Sequence, residues 1–207
     1  MLYIFNEVEM LDDDFPESMM PFLSEERRAK VQQLRYQNGK KESVAAYLLL
    51  RIALREVYNI NEAVEFNHLE KGKPVLKHYP HIYFNLSHSR GVAACVVSDR
   101  EVGVDVQSIR PVTDKAAKRI LTEPEYTEFK TASNPDEYFC EIWAIKESQM
   151  KKTGQGIAAA FRKMPADEIK DKSVFKEKNY FCCVCGSFSQ AMQVRYIRRE
   201  DFEQLRD

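Results

Sequence analysis

Phe84-Asn85-Leu86-Ser87-His88-Ser89 is followed by Gly103-Val104-Asp105-Val106-Gln107, and then by Trp143-Ala144-Ile145-Lys146-Glu147-Ser148, with Lys151, Gly154 and Gly156 beyond. Val102 to Val106 reads as an apolar strand bearing a single acid. Strand alternation puts Gly103, Asp105 and Gln107 on one face. The Trp143 segment belongs to a helix. Its start signal is Asn134-Pro135-Asp136-Glu137: an Asn cap, Pro at the first helical position and Glu three residues on. That helix is predicted to run to Thr153 and to stop at Gly154, glycine being the usual residue past a helix end.

Working outward, Leu2 to Phe5 reads as a strand. Ser24 caps a polar helix whose first turn holds Glu25 and Glu26, where the helix dipole favours acids. Asn38-Gly39 is expected to break it. An apolar helix follows from about Glu42 to Tyr58, with Tyr47, Leu48, Leu50, Leu54 and Val57 filling most of its circumference, as in a helix buried against a sheet. Val64 to Leu69, the turn Lys71-Gly72-Lys73-Pro74 and a strand pair from His81 to Val97 come next, with Ser87-His88-Ser89 read as a turn. Thr113 starts one helix, and Thr122 with Glu125 reads as a capping box for another. The tail returns to strands at Tyr180 to Phe188 and Ala191 to Ile197.

A shift of about 97 residues lays the helix around Leu48 over the helix around Ile145, and Tyr83-Phe84 over Tyr180-Phe181, each opening a hairpin. The expected fold is therefore α+β, with two similar α/β lobes in one chain related by a pseudo-twofold and the active cleft between them. The lobes are placed at 1-104 and 105-207. The join holds no long linker, so two lobes of one compact unit are expected.

Composition excludes several classes. The chain has 207 residues, 44% apolar and 30% charged, with a net charge of -1, which leaves no broad field for nucleic acid. No apolar run approaches the roughly 20 residues that span a bilayer. Glu7, Glu9 and Asp12 to Asp14 stand where a signal peptide would have its apolar centre. Five cysteines, an odd number, fit a reducing cytoplasm. Cys182-Cys183-Val184-Cys185 lacks the further ligands of a zinc site and reads as a buried strand.

Three clusters carry candidate chemistry. Glu147 and Lys151 share one helix face a turn apart, with Trp143 a turn behind. Such a pair is either an exposed ion pair or a carboxylate and ammonium placed to hold a metal and a phosphate together. Asp105 is a lone carboxylate on an apolar strand, costly unless a cation or several hydrogen bonds satisfy it. Mg²⁺ suits one or two carboxylates plus substrate phosphate oxygens, so Asp105 and Glu147 need no protein cage. Ser87-His88-Ser89 is either a plain turn or a contact for phosphate or adenine. No Gly-x-Ser-x-Gly elbow and no P-loop is present.

Taken in order, Gly72-Lys73-Pro74, Phe84 to Ser89, Gly103-Val104-Asp105 and Trp143-x-x-Lys146-Glu147-Ser148-x-x-Lys151-x-x-Gly154-x-Gly156 closely resemble the 4′-phosphopantetheinyl transferases of the surfactin-synthetase-activating type. The resemblance covers roughly residues 24 to 160. It implies transfer of the 4′-phosphopantetheine group from coenzyme A to a serine of an apo carrier protein, with Mg²⁺ as cofactor and release of 3′,5′-ADP. Asp105, Glu147 and Lys151 then become the catalytic residues, with Glu147 or a water beside it as base and Lys151 steadying the diphosphate. Asp105, Glu147 and Gln107 take the metal positions. Lys73, Ser87 and His88 grip the nucleotide end of coenzyme A, and Trp143 and Lys146 are supporting. On this reading the 1-104 lobe supplies the nucleotide contacts and the 105-207 lobe the metal and diphosphate site. The protein would act as a cytoplasmic monomer without membrane or nucleic acid.

Gln107 departs from the family pattern, because many relatives carry an acid there. Two rival readings stay open: a catalytically idle binder of coenzyme A or carrier protein, and another Mg²⁺-dependent phosphotransferase or hydrolase of a nucleotide diphosphate. Arg27, Arg28, Lys115, Lys118 and Arg119 are candidate contacts for an acidic carrier.

Overall fold

The computed structural model describes residues 1–154, 164–188 and 191–206. In chain order these form β1 (Leu2–Phe5), α1 (Phe15–Met19), α2 (Glu25–Gln33), α3 (Gln37–Tyr58), β2 (Phe66–His68), β3 (Pro74–Leu76), β4 (Tyr83–Ser89), β5 (Val92–Ser98) and β6 (Val102–Ser108). There follow α4 (Asp114–Ile120), α5 (Glu123–Thr131), α6 (Pro135–Thr153), β7 (Lys172–Lys176), β8 (Tyr180–Gly186), β9 (Val194–Tyr196) and α7 (Arg199–Glu203). The class is α+β. One sheet has the order β4-β5-β1-β9, a second β6-β8-β7, and β2 pairs with β3 alone.

Alternation along the strands stacks these elements in layers. Tyr3 and Phe5 of β1, with Ala93, Cys95 and Val97 of β5, face α3 and its apolar surface. Their neighbours Leu2, Ile4, Val92, Ala94 and Val96 meet Val102, Val104, Val106, Tyr180, Cys182 and Val184 of the second sheet. The far side of that sheet packs Phe181, Cys183 and Cys185 against Cys140, Ala144 and Ile145 of α6. The order is thus α3, first sheet, second sheet, α6. Strands buried on both faces need apolar residues at every position, which is why β5 and β8 read as continuous apolar runs.

The two sheets meet along one edge through side chains. The N–H groups of Val104, Val106 and Ser108 donate to Asn85 Oδ1 at 3.1 Å, Ser87 Oγ at 3.1 Å and Ser89 Oγ at 3.2 Å. Every second residue of β4 therefore satisfies every second N–H of β6, donors that would otherwise be buried and unpaired. The turn lies just beyond the three residues expected to form it. Ser87-His88-Ser89 is strand, and Arg90-Gly91 turns the chain with φ of 30° and 86°, a left-handed region that glycine enters freely.

Several boundaries differ from expectation. The helix capped by Ser24, α2, ends at Gln33, extended residues follow, and Asn38-Gly39 sits in the first turn of α3 instead of breaking a helix. Glycine's cost in a helix is conformational entropy of about 1 kcal/mol, small beside the burial of the long apolar helix that continues from it. The expected hairpin after Tyr180-Phe181 does not form among the described residues: β8 pairs with β6 and β7, while β9 joins β1 in the first sheet. The 104/105 division falls inside β6, and Phe202 of α7 stacks edge-on to Phe5 at 4.9 Å. The Cys182-Cys183-Val184-Cys185 strand is buried throughout, and all five cysteines are unpaired.

The helix-start signals at Ser24, Thr113, Thr122 and Asn134 all hold. Asn134 accepts from the Glu137 N–H, and Gly154 ends α6 with φ 68°. Thr122 and Glu125 make a reciprocal capping box. The Glu125 carboxylate does more than cap: it also accepts from Lys146 Nζ at 2.5 Å and from the Ala166 N–H at 2.8 Å. Although burial opposes it, these bonds hold Glu125 below the usual carboxylate range. Lys146 is fully buried, and its ammonium ties α5 to α6. Lys146→Ala is expected to destabilise the protein by about 3 kcal/mol, because a buried carboxylate loses its cation. A denaturation midpoint measured without ligands would show it.

Candidate active site

Gly103 determines how closely α6 approaches β6. A Cβ on it would lie 2.1 Å from the Ser148 carbonyl oxygen and 2.3 Å from the Lys152 nitrogen. Only a bare backbone lets the helix come this near, and the approach carries Glu147 and Lys151 to Asp105, two residues along the same strand face.

There, Lys151 Nζ donates to Asp105 Oδ1 at 2.6 Å and to Ser87 Oγ at 2.9 Å, while Ser87 Oγ donates to Asp105 Oδ1 at 2.9 Å. The other Asp105 oxygen, Oδ2, and Glu147 Oε2 are both buried without a hydrogen-bond partner among the described residues. Burial pushes the Asp105 carboxyl up despite the pull of Lys151. Burial, and then the charge of Asp105, push Glu147 up as well. Two buried carboxylates close enough to repel, each with an unsatisfied oxygen, form a donor set suited to a hard divalent cation. Among the described residues no group of three or more His, Cys, Asp and Glu forms a ready-made cage. Gln107 is buried on the same strand, its Nε2 donating to the Ser108 carbonyl at 3.2 Å.

The remaining predicted residues are spread around this centre. Lys73 donates to the Lys152 carbonyl at 2.5 Å, placing a cation on the C-terminal end of α6, and burial lowers its pKa. His88 points to the other side of β4 from Ser87. Its Nδ1 lies 3.0 Å from Glu42 Oε2, and its side chain is 40% exposed. Although burial opposes it, His88 and the Gly91 N–H hold Glu42 below the usual carboxylate range. Trp143 packs on Phe139 with ring centroids 6.0 Å apart, within the α4–α5–α6 cluster. Gln155 and Gly156 of the motif lie outside the described residues.

Sequence reading missed Glu42, Asn85 and Ser89 as partners of this region. The alternation of Asn85, Ser87 and Ser89 was a visible signal; nothing local marked Glu42. Among the basic residues proposed for a carrier, Arg27 packs over the Tyr47 ring at 5.4 Å and Arg28 bonds the Leu23 carbonyl. Lys118 pairs with Asp114, and Lys115 and Arg119 are exposed.

A family model described as the N-terminal part of 4′-phosphopantetheinyl transferase matches residues 12–101, and the 4′-phosphopantetheinyl transferase superfamily model matches 101–194. The 4′-phosphopantetheinyl transferase gsp of Aneurinibacillus migulanus is 32% identical over 190 residues, covering 81% of this chain and 79% of that protein. The chain belongs to the 4′-phosphopantetheinyl transferase superfamily. Other transferases of the family match over shorter spans. That of Bacillus pumilus, psf-1, is 32% identical over 145 residues, covering 69% of this chain and 62% of the relative. Sfp of Bacillus subtilis strain 168 is 27% identical over 151 residues, covering 72% and 67%. The match thus spans less than two thirds of the psf-1 transferase. The two family models meet at residue 101, just before β6, the strand that carries Asp105.

Proposed function

We propose that this chain is an active 4′-phosphopantetheinyl transferase, moving the 4′-phosphopantetheine group of coenzyme A to a serine hydroxyl of an apo carrier protein. The observation that carries this reading is the pair of buried carboxylates, Asp105 and Glu147, with unpartnered oxygens beside the Lys151 ammonium. A catalytically idle binder would have no use for so costly an arrangement.

In the reaction the serine oxygen bonds to the phosphorus that carries pantetheine. The bond from that phosphorus to the bridging diphosphate oxygen breaks, and 3′,5′-ADP leaves. Glu147, or a water it holds, takes the serine proton. Lys151 has three N–H donors, and Asp105 and Ser87 use two of them, so one remains for a phosphate oxygen. Asp105 and Glu147 would hold Mg²⁺, which when bound neutralises the diphosphate charge. His88, held by Glu42, and Lys73 are the residues offered to the nucleotide end. Positioning and charge neutralisation carry most of such a phosphoryl transfer.

In this reading the sheet of β4, β5, β1 and β9 with α3, and the sheet of β6, β8 and β7 with α6, are the two pseudo-symmetric lobes, and the site lies where β4 meets β6. The five unpaired, buried cysteines fit a reducing cytoplasm. No helix of the described residues is long and apolar enough to cross a membrane.

The deciding test is the intact mass of an apo carrier protein incubated with the enzyme and coenzyme A, with Mg²⁺ or with EDTA. A gain of one phosphopantetheine that EDTA abolishes supports the reading. Release of free phosphopantetheine without acceptor modification would favour a hydrolase instead. Gln107→Glu is expected to lower the Mg²⁺ concentration for half-maximal rate by roughly tenfold, since a third carboxylate adds charge to the cation site. An unchanged magnesium titration would remove Gln107 from that site.

A further inference from the structure

Glu42 stands on α3, and His88 on β4 opposite Ala93 of β5, a residue of the layer packed under that helix. The two carboxylate oxygens of Glu42 have separate tasks. Oε1 accepts from the Gly91 N–H at 3.0 Å, and Oε2 lies 3.0 Å from His88 Nδ1. The first bond is enough to tie the β4–β5 turn to α3. The second commits a carboxylate that is only 13% exposed to an imidazole that is 40% exposed. Burial pushes the Glu42 carboxyl up, yet His88, the Gly91 N–H and Arg90 together hold it below the usual carboxylate range. An ionised carboxylate only accepts, so the ring nitrogen facing it, Nδ1, carries a proton. Nε2 is the nitrogen left for a ligand.

We infer that Glu42 is a positioning residue for His88, aiming its Nε2 at the 3′-phosphate of coenzyme A. The leaving group, 3′,5′-ADP, carries that phosphate apart from the one it keeps of the diphosphate. With Nδ1 protonated and paired to an anion, Nε2 takes a second proton from solvent and donates it to a phosphate oxygen. The ring then stands as a cation between two anions. Each anion is nearer to the ring than to the other, so attraction outweighs their mutual repulsion. Glu42 itself touches no part of the nucleotide.

This inference rests on the reading that His88 meets the nucleotide end, and its test has to separate the two. Coenzyme A and 3′-dephospho-coenzyme A differ only in the phosphate at issue. Their affinities would be measured by calorimetry on the full chain in EDTA, for the wild type, Glu42→Ala, His88→Ala and the double variant. Glu42→Ala is expected to weaken coenzyme A on the order of tenfold, as loss of one charge-assisted hydrogen bond does. Affinity for the dephospho form should stay within about twofold. The double variant should bind coenzyme A no more weakly than His88→Ala alone, because Glu42 acts only through the ring. In steady state with Mg²⁺ the loss should fall on the KM for coenzyme A and not on kcat. If Glu42→Ala does not fold, Glu42→Gln takes its place. It keeps the volume and can still hold the turn but carries no charge, so a smaller loss is expected, again confined to coenzyme A.

Equal losses for the two donors would overturn the inference and leave Glu42 as an anchor of the hairpin. Tighter binding of coenzyme A by Glu42→Ala would overturn it as well, because repulsion would then outweigh positioning. If His88→Ala leaves both affinities unchanged, the inference falls together with the nucleotide reading of His88. A wild-type chain that prefers coenzyme A to its dephospho form but never modifies a carrier would overturn only the transferase reading.

Discussion

Glu147→Gln is expected to reduce carrier modification by on the order of 10³-fold while leaving the protein as stable as before, or more so. The two effects have one physical origin. Glu147 is buried beside Asp105 with an unpartnered oxygen, and both burial and that neighbouring charge raise its pKa. A carboxylate whose folded-state pKa is raised is disfavoured as an anion, so its ionised form lowers stability at neutral pH. Glutamine keeps the volume and removes the charge, which relieves the repulsion. The same change removes one of two charged cation ligands and the candidate base for the incoming serine. Each tenfold of rate corresponds to about 1.4 kcal/mol of barrier, so the expected loss is about 4 kcal/mol, within what a metal ligand that stabilises developing charge supplies. Intact-mass kinetics and a thermal melt of the same preparation test both halves. A variant that unfolds early, or one that keeps its rate, would show that Glu147 serves the fold and not the reaction.

Gly103→Ala should do the opposite, harming fold and reaction together. The added methyl would sit 2.1 Å from one backbone atom of α6 and 2.3 Å from another, where no rotamer change can relieve the clash. Overpacking of this kind costs about 1–3 kcal/mol, and contact with the rigid backbone of α6 places this case at the upper end. For a normal contact the helix would have to retreat by more than ~1 Å, and misplacement on that scale costs about 10²-fold in rate. The melting temperature and transfer rate should therefore fall together, whereas Ala at Gly39, which has nothing within 4 Å, should leave both unchanged. Normal activity in Gly103→Ala would mean that α6 need not touch β6 for the site to form.

Much of the architecture was legible because local rules were enough for it. The caps at Asn134, Thr122 and Ser24 close their helices as their side chains require, and Asp105 stands on an apolar strand beside a glycine as alternation demands. Other readings failed where a distant partner decided. Asn38-Gly39 looks like a breaker, yet α3 absorbs it because its later turns are packed on β5. β9 follows β8 in the chain but pairs with the edge of β1 that β5 leaves open, a partner about 190 residues away and invisible in the tail itself.

The candidate site divides the same way. The residue types, Asp105, Glu147, Lys151, Ser87 and His88, and the spacings that put each on its strand or helix face, belong to the sequence, since they follow from the 2.0 and 3.6 periodicities of the backbone. Which of them meet is a matter of tertiary packing. The missing Cβ at Gly103 lets α6 descend onto β6, and the alternating side chains of β4 hold β6 by its N–H groups. Together they enclose Ser87 with Asp105 and leave His88 outside with Glu42, because hydrogen-bond capacity and burial are fixed only when the two sheets come together.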